Sequence, residues 1–142
     1  MTRRLSGGHT LVVYRAGERA DAALAELARA TRETEGRLTV VALAPQEPVA
    51  RGCCDTRSVL WNAVRRELAQ EDLARARLAL DGARNVDLER VEHPVRRSVE
   101  AVVGEAERRG ASEIVMADPA RCGLGRRDRR RLRRLSQIPV VT

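Results

Sequence analysis

The stretch that decides the fold runs from Ser98 to Asp118, SVEAVVGEAERRGASEIVMAD. With Val95 just ahead of it, Val99, Val102, Val103 and Ala106 fall at i, i+4, i+7, i+8 and i+11, which lays one apolar stripe along a helix. Pro94 sits where such a helix can begin, and Gly110 stops it. The helical period then gives way to Glu113–Ala117, a short run that reads as a strand.

Toward the carboxyl end, Asp118–Gly125 reads as a loop. The arginine-rich segment after it reads as a helix that buries little more than Leu124, Leu132 and Leu135. Ile138–Val141 closes the chain as a strand, and Pro139 favours a sheet edge there. Toward the amino end the same alternation holds. Leu11–Tyr14 is a β-prone run between glycines, and residues 18–35 repeat Leu24, Leu27, Ala28 and Thr31 at helical spacing, with Gly36 as the stop. Leu38–Ala44 reads as a strand closed by Pro45. Residues 46–57, with Pro48, Gly52, Cys53 and Cys54, form a long loop of the kind that carries function more often than a short connection does. A helix over 58–84 has Leu60, Val64 and Leu68 on one face. Val86–Glu92 alternates as an edge strand with one wet face.

The order is β-α-β-α-β-α-β-α-β, which predicts an α/β domain with right-handed crossovers, a mostly parallel five-stranded sheet and helices on both faces. Ligands of such sheets bind at the carboxyl ends of the strands, so the loops after the first and fourth strands are the places to look. At 142 residues the chain is the size of one domain. Its apolar runs are too short for a membrane span, and no signal-length apolar segment follows the basic start, so the cytoplasm is the expected compartment. Cys53, Cys54 and Cys122 form an odd set without disulfide spacing, which suits a reducing compartment.

The net charge is +7, and all 27 strongly basic residues are arginine. With so much alanine, that bias reads as GC-rich coding, which weakens global charge as a sign of nucleic-acid binding. Its distribution is more telling, because seven arginines fall in the nine positions Arg126–Arg134.

The segment Ser98–Asp118 resembles the part of the universal stress protein family in which a helix ends at a Gly-Ala pair and a strand of the type IVMG follows. Leu132–Thr142, LRRLSQIPVVT, resembles that family's closing strand. The resemblance implies strand order 3-2-1-4-5 in an adenine-nucleotide alpha hydrolase-like fold, a homodimer through the last strand, and a binding or regulatory module rather than an enzyme. ATP-binding members carry Gly-x-x-Gly-x9-Gly-Ser/Thr after the fourth strand, where glycines let backbone N–H groups approach phosphates closely. Here Ala117 and Ala120 take the first two glycine positions and Arg130-Arg131 the final pair, while Pro119 removes an N–H altogether. The acidic residue of the first loop is also lost, its place taken by Arg15-Ala16-Gly17. No cofactor is expected, and ATP or AMP in the usual mode is disfavoured.

Three site readings stay open. Arg15, Gly17, Arg121, Gly123, Gly125, Arg126 and Arg127 could hold a nucleotide or another anion, guanidinium groups replacing glycines; alternatively the arginines are a solvated helix face. Cys53, Cys54 and Cys122 could meet at one end of the sheet as a redox cluster, with nearby arginines lowering the Cys122 pKa; alternatively they are small buried or incidental residues. Adjacent cysteines lack zinc-site spacing, so no metal is expected. The arginine helix could also dock an acidic protein, pair internally with glutamates, or grip nucleic-acid phosphates; with Tyr14 and Trp61 as the only aromatics, specific nucleic-acid recognition is not expected. Trp61 reads as core or interface packing. His9 and His93 have no spacing that marks catalysis, and no catalytic constellation can be assembled.

Overall fold

Every residue from Thr10 to Tyr14 is buried, and the alternation of side chains along a strand explains how. Val12 and Tyr14 pack on one face of the sheet with Val40, Ala42 and Ala44, while Leu11 and Val13 pack on the other with Val41, Ile114 and Met116. A strand covered on both sides has to be apolar throughout, which is why these runs are continuous. The computed structural model describes residues 8–49 and 56–141. Its elements are β1 (His9–Val13), α1 (Glu18–Thr34), β2 (Arg37–Gln46), α2 (Thr56–Leu80), β3 (Val86–Pro94), α3 (Ser98–Arg108), β4 (Glu113–Met116), a single 3-10 turn (Pro119–Arg121), α4 (Arg126–Leu135) and β5 (Val140–Val141). All four strand pairings are parallel and the order is β3-β2-β1-β4-β5. Helices α1 and α2 cover one face through Leu24, Leu27, Leu73 and Leu80; α3 and α4 cover the other through Val99, Val102, Ala106 and Leu132.

Several boundaries differ from the sequence reading, each for a physical reason. Helix α1 ends on Glu35, which adopts the left-handed conformation (φ 56°), not on Gly36. Gly36 is needed for space instead, because a Cβ there would lie 2.9 Å from the Gly8 carbonyl oxygen. Strand β2 runs on through Pro45 to Gln46. The Tyr14 N–H bonds the Val41 carbonyl at 3.0 Å, so Val41, and with it Pro45, presents its backbone on the β1 side, and β1 has ended by then. The missing proline N–H therefore breaks no ladder bond.

Helix α2 ends at Leu80 rather than Arg84, and it buries a different face from the one expected. Leu60, Val64 and Leu68 are exposed, and the buried residues are Ser58, Asn62, Ala69, Leu73, Ala76 and Leu80. The Asn62 side chain accepts from the Glu47 N–H at 2.7 Å and donates to the Glu47 carbonyl at 2.9 Å. These bonds satisfy the backbone where β2 ends, and they turn the polar side of the first turns inward. Helix α3 starts at Ser98, not at Pro94, because the Val95 N–H is still bonded to the Gln46 carbonyl at 3.2 Å; Val95 is exposed. Leu135 is exposed too, so α4 is held by Leu132 and by Leu124 ahead of it. Strand β5 is reduced to two residues after Pro139.

Candidate functional site

In the order β3-β2-β1-β4-β5, chain connectivity reverses between β1 and β4, and the crevice above the carboxyl ends of these strands is where this architecture binds ligands. A cleft of about 310 Å³ opens there. Its apolar lining includes Leu43, Pro45, Trp61, Leu68 and Val95, and its polar lining Arg15, Arg65, Asp72, His93, Ser98 and Asp128. The Arg65 guanidinium stacks on the Trp61 ring, 4.8 Å from its centre. Trp61 is thus half-buried at the mouth of a cleft rather than packed in the core.

Asp72 enters from α2 and accepts the Ala16 N–H through Oδ1 at 3.2 Å. Burial pushes its carboxyl pKa up, against the Ala16 N–H and the Arg15 charge, which pull it down. A carboxylate therefore faces the first loop although the loop's own sequence, Arg15-Ala16-Gly17, carries none. Tyr14, one residue earlier, donates its hydroxyl to Asp21, which also pairs with Arg75 at 2.9 Å. Burial, followed by that hydrogen bond and the Asp21 charge, raises the phenol pKa well above its ordinary value.

Strand β3 delivers His93 to the floor of the cleft, 5% exposed. Its Nδ1 donates to the Pro94 carbonyl at 2.8 Å, which leaves Nε2 as a buried acceptor with no partner among the described residues. On the α3–α4 side, Ser98 Oγ donates to Asp128 Oδ2 at 3.4 Å. His9, by contrast, is structural. Its Nδ1 donates to the Arg109 carbonyl at 3.0 Å, and its Nε2 accepts the Thr39 hydroxyl at 2.6 Å.

Three amides at the start of the loop after β4 are engaged within the protein. Ala117 N–H bonds the Val13 carbonyl at 3.1 Å, Ala120 N–H bonds Asp118 Oδ1 at 3.2 Å, and Arg121 N–H bonds the Asp118 carbonyl at 2.9 Å. Pro119 has none to give. The Arg129 guanidinium donates to the carbonyls of Pro119 and Leu124, tying the loop to α4.

Of the residues singled out from sequence, the cleft gathers Arg15, Gly123 and Cys122. Gly123 turns the loop at φ 94°, where a side chain would be strained. Gly17 and Gly125 cap the starts of α1 and α4, and Arg121 is exposed on the 3-10 turn. None of these three lines the cleft, nor do Arg126 and Arg127, which are exposed on α4. The surroundings of Cys122 work against the expected activation. The thiol is 1% exposed, lies against the carbonyls of Pro119 and Leu124, and has its pKa raised by burial; the Arg129 charge lowers it by less. Cys53 and Cys54 lie outside the described residues. Among the described residues no group of His, Cys, Asp or Glu is arranged to hold a metal ion, and no helix is long and apolar enough to cross a membrane.

The cleft and sheet order define a Rossmann-like α/β fold of the adenine-nucleotide alpha hydrolase type, and comparison with solved structures narrows it to the fold of universal stress proteins. A universal stress family protein from Burkholderia pseudomallei superposes with a TM-score of 0.70 at 19% identity, over 95% of this chain and 93% of that one. The universal stress protein UspA of Lactobacillus plantarum gives 0.69 at 13% identity over 94% and 95%. The universal stress protein of Archaeoglobus fulgidus in complex with dAMP gives 0.60 at 17% identity over 98% of both chains. No protein-family model and no curated protein matches the sequence.

Proposed function

We propose that this protein is a non-catalytic binding module whose cleft takes a compact nucleoside or nucleoside monophosphate, and that it does not hold ATP by a glycine-lined triphosphate cradle. The observation that carries this reading is the loop after β4: Ala117, Ala120 and Arg121 donate within the protein and Pro119 lacks an N–H. At the positions where a glycine cradle would offer its first amides, those of Ala117, Ala120 and Arg121 are not free to receive a triphosphate. What the cleft offers instead suits a smaller ligand. Its volume of about 310 Å³ is at the low end of the roughly 300–1,000 Å³ usual for ligand clefts. Trp61, Leu68 and Pro45 supply an apolar wall for a planar ring, Asp72 can accept from ligand hydroxyls, and Arg15 and Arg65 can meet a single phosphate. The dAMP held by the Archaeoglobus fulgidus protein is a ligand of this size class. A second copy pairing on the edge of β5 belongs to the same reading, since among the described residues Val140 and Val141 are paired on the β4 side alone.

Thermal melting in adenosine, AMP, Mg-ATP and inorganic phosphate tests the reading. At about 1 mM, a ligand with a dissociation constant near 10 μM adds about 2.7 kcal/mol, several degrees for a domain of this size. AMP or adenosine should raise the melting temperature of the native protein and raise that of Asp72→Asn less. A panel in which neither shifts it would sink the proposal.

A further inference from the structure

The arginines of α4 divide into two groups. Arg129 and Arg131 are half-buried and engaged, the first with the Pro119 and Leu124 carbonyls and the second with Glu100. The helix's one acid, Asp128, is also half-buried and receives Ser98. The other five, Arg126, Arg127, Arg130, Arg133 and Arg134, are exposed, and none has an acidic partner among the described residues. With Leu132 fixed in the core, a helical period of 100° per residue spreads these five across the opposite, outward side. Arg126, Arg129, Arg130 and Arg133 share one shallow depression with Pro119. Elsewhere some arginines find acids, as in Arg37–Asp87, Arg75–Asp21 and Arg108–Glu105, and others have no acidic partner among the described residues but are scattered; what sets α4 apart is five such arginines on one face of a single helix. Among the described residues, the internal pairing with acids open to the helix from sequence is made by Arg131 alone.

We infer that the outward face of α4 is a docking surface for the phosphate backbone of a nucleic acid, read without regard to base sequence. Positive charge with no acid on that face selects a polyanion, and guanidinium forks match phosphate oxygens. A lipid surface fits less well, because an interfacial helix inserts an apolar face, and of the two apolar residues of α4 Leu132 is committed to the core while Leu135, though exposed, lies about 60° from it, away from the arginines. An acidic protein also fits less well, because stable protein interfaces centre on apolar or aromatic anchors and this face presents none. The absence of a stacking platform on the same face excludes base reading and leaves backbone contact.

Fluorescence anisotropy of labelled DNA duplex and single-stranded RNA, each in two unrelated sequences, tests this over a range of salt. Engaging four or five phosphates should make duplex affinity fall on the order of 10²-fold between 50 and 200 mM salt, equally for both sequences. The triple variant Arg130→Gln, Arg133→Gln, Arg134→Gln should weaken binding at least tenfold and flatten the salt slope. A matched variant, Arg29→Gln, Arg32→Gln, Arg77→Gln, removes the same charge from α1 and α2 and should retain native binding. Equal losses in the two variants would mean that net charge alone binds, and the proposal would fail. It would fail equally if polyglutamate, or anionic vesicles, displaced the nucleic acid at matched charge concentration, or if no binding occurred at 50 mM salt.

Discussion

Tyr14 is the chain's only tyrosine, so its ionisation can be followed by absorbance without interference. The folded protein keeps its phenol proton against a raised pKa, while the unfolded chain sheds that proton near pH 10. Stability from this group is therefore complete below about pH 10 and is lost as pH rises above it. We expect the tyrosinate signal to lag behind that of a free tyrosine on titration. Tyr14→Phe should cost about 1 kcal/mol at neutral pH and abolish the tyrosine-linked part of the alkaline decline; an unshifted titration would contradict the Asp21 bond. Asp72 follows the same sign over a lower pH range. Its raised pKa means that its contribution is complete below the ordinary carboxylate range and is lost as pH climbs through the folded value. Asp72→Asn keeps an acceptor for Ala16 N–H and should raise the melting temperature at pH 7 by a few degrees at most while weakening AMP binding; a lowered melting temperature would show the charge to be stabilising. Neither role was legible in sequence. Tyr14 was visible as the end of a buried run, but Asp21 is seven residues away and Ala16 is 56 residues from Asp72.

The elements themselves were legible wherever burial follows one period. Helix α1 matched because Leu24, Leu27, Ala28 and Thr31 all face the sheet, and α3 because Val99, Val102 and Ala106 do. Helix α2 misled because periodicity registers an apolar stripe without saying what faces it, and Asn62, bonded twice to Glu47, outranks Leu60 and Val64 for the inward side. Gly36 was noticed for the wrong reason. Its requirement is proximity to the Gly8 carbonyl, so Gly36→Ala should destabilise by about 1–3 kcal/mol in chemical denaturation, and a neutral result would mean that β1 can move away at little cost.

At the scale of the whole molecule, strand order and layer arrangement followed from the alternation of strands and helices together with the resemblance, whereas the cleft did not. Its lining comes from the loops after β1 and β4 and from β2, α2, β3, α3 and α4, and only the crossover topology brings Arg15, Arg65, Asp72, His93 and Asp128 together. Sequence showed that a glycine cradle was missing; it could not show that the amides of Ala117, Ala120 and Arg121 were already engaged within the protein. The open edge of β5 leads to a further expectation, a homodimer by sedimentation at micromolar concentration that Val140→Pro converts to monomer; a monomeric native protein would contradict pairing through that strand. The central claim is that the cleft takes a monophosphate-sized ligand and gains nothing from a longer phosphate chain. Calorimetric titration of the native protein with AMP and with Mg-ATP under identical conditions tests it most directly. We predict that AMP binds at least as tightly as ATP, whereas ATP bound tenfold or more tightly than AMP would show that the outer phosphates are gripped after all.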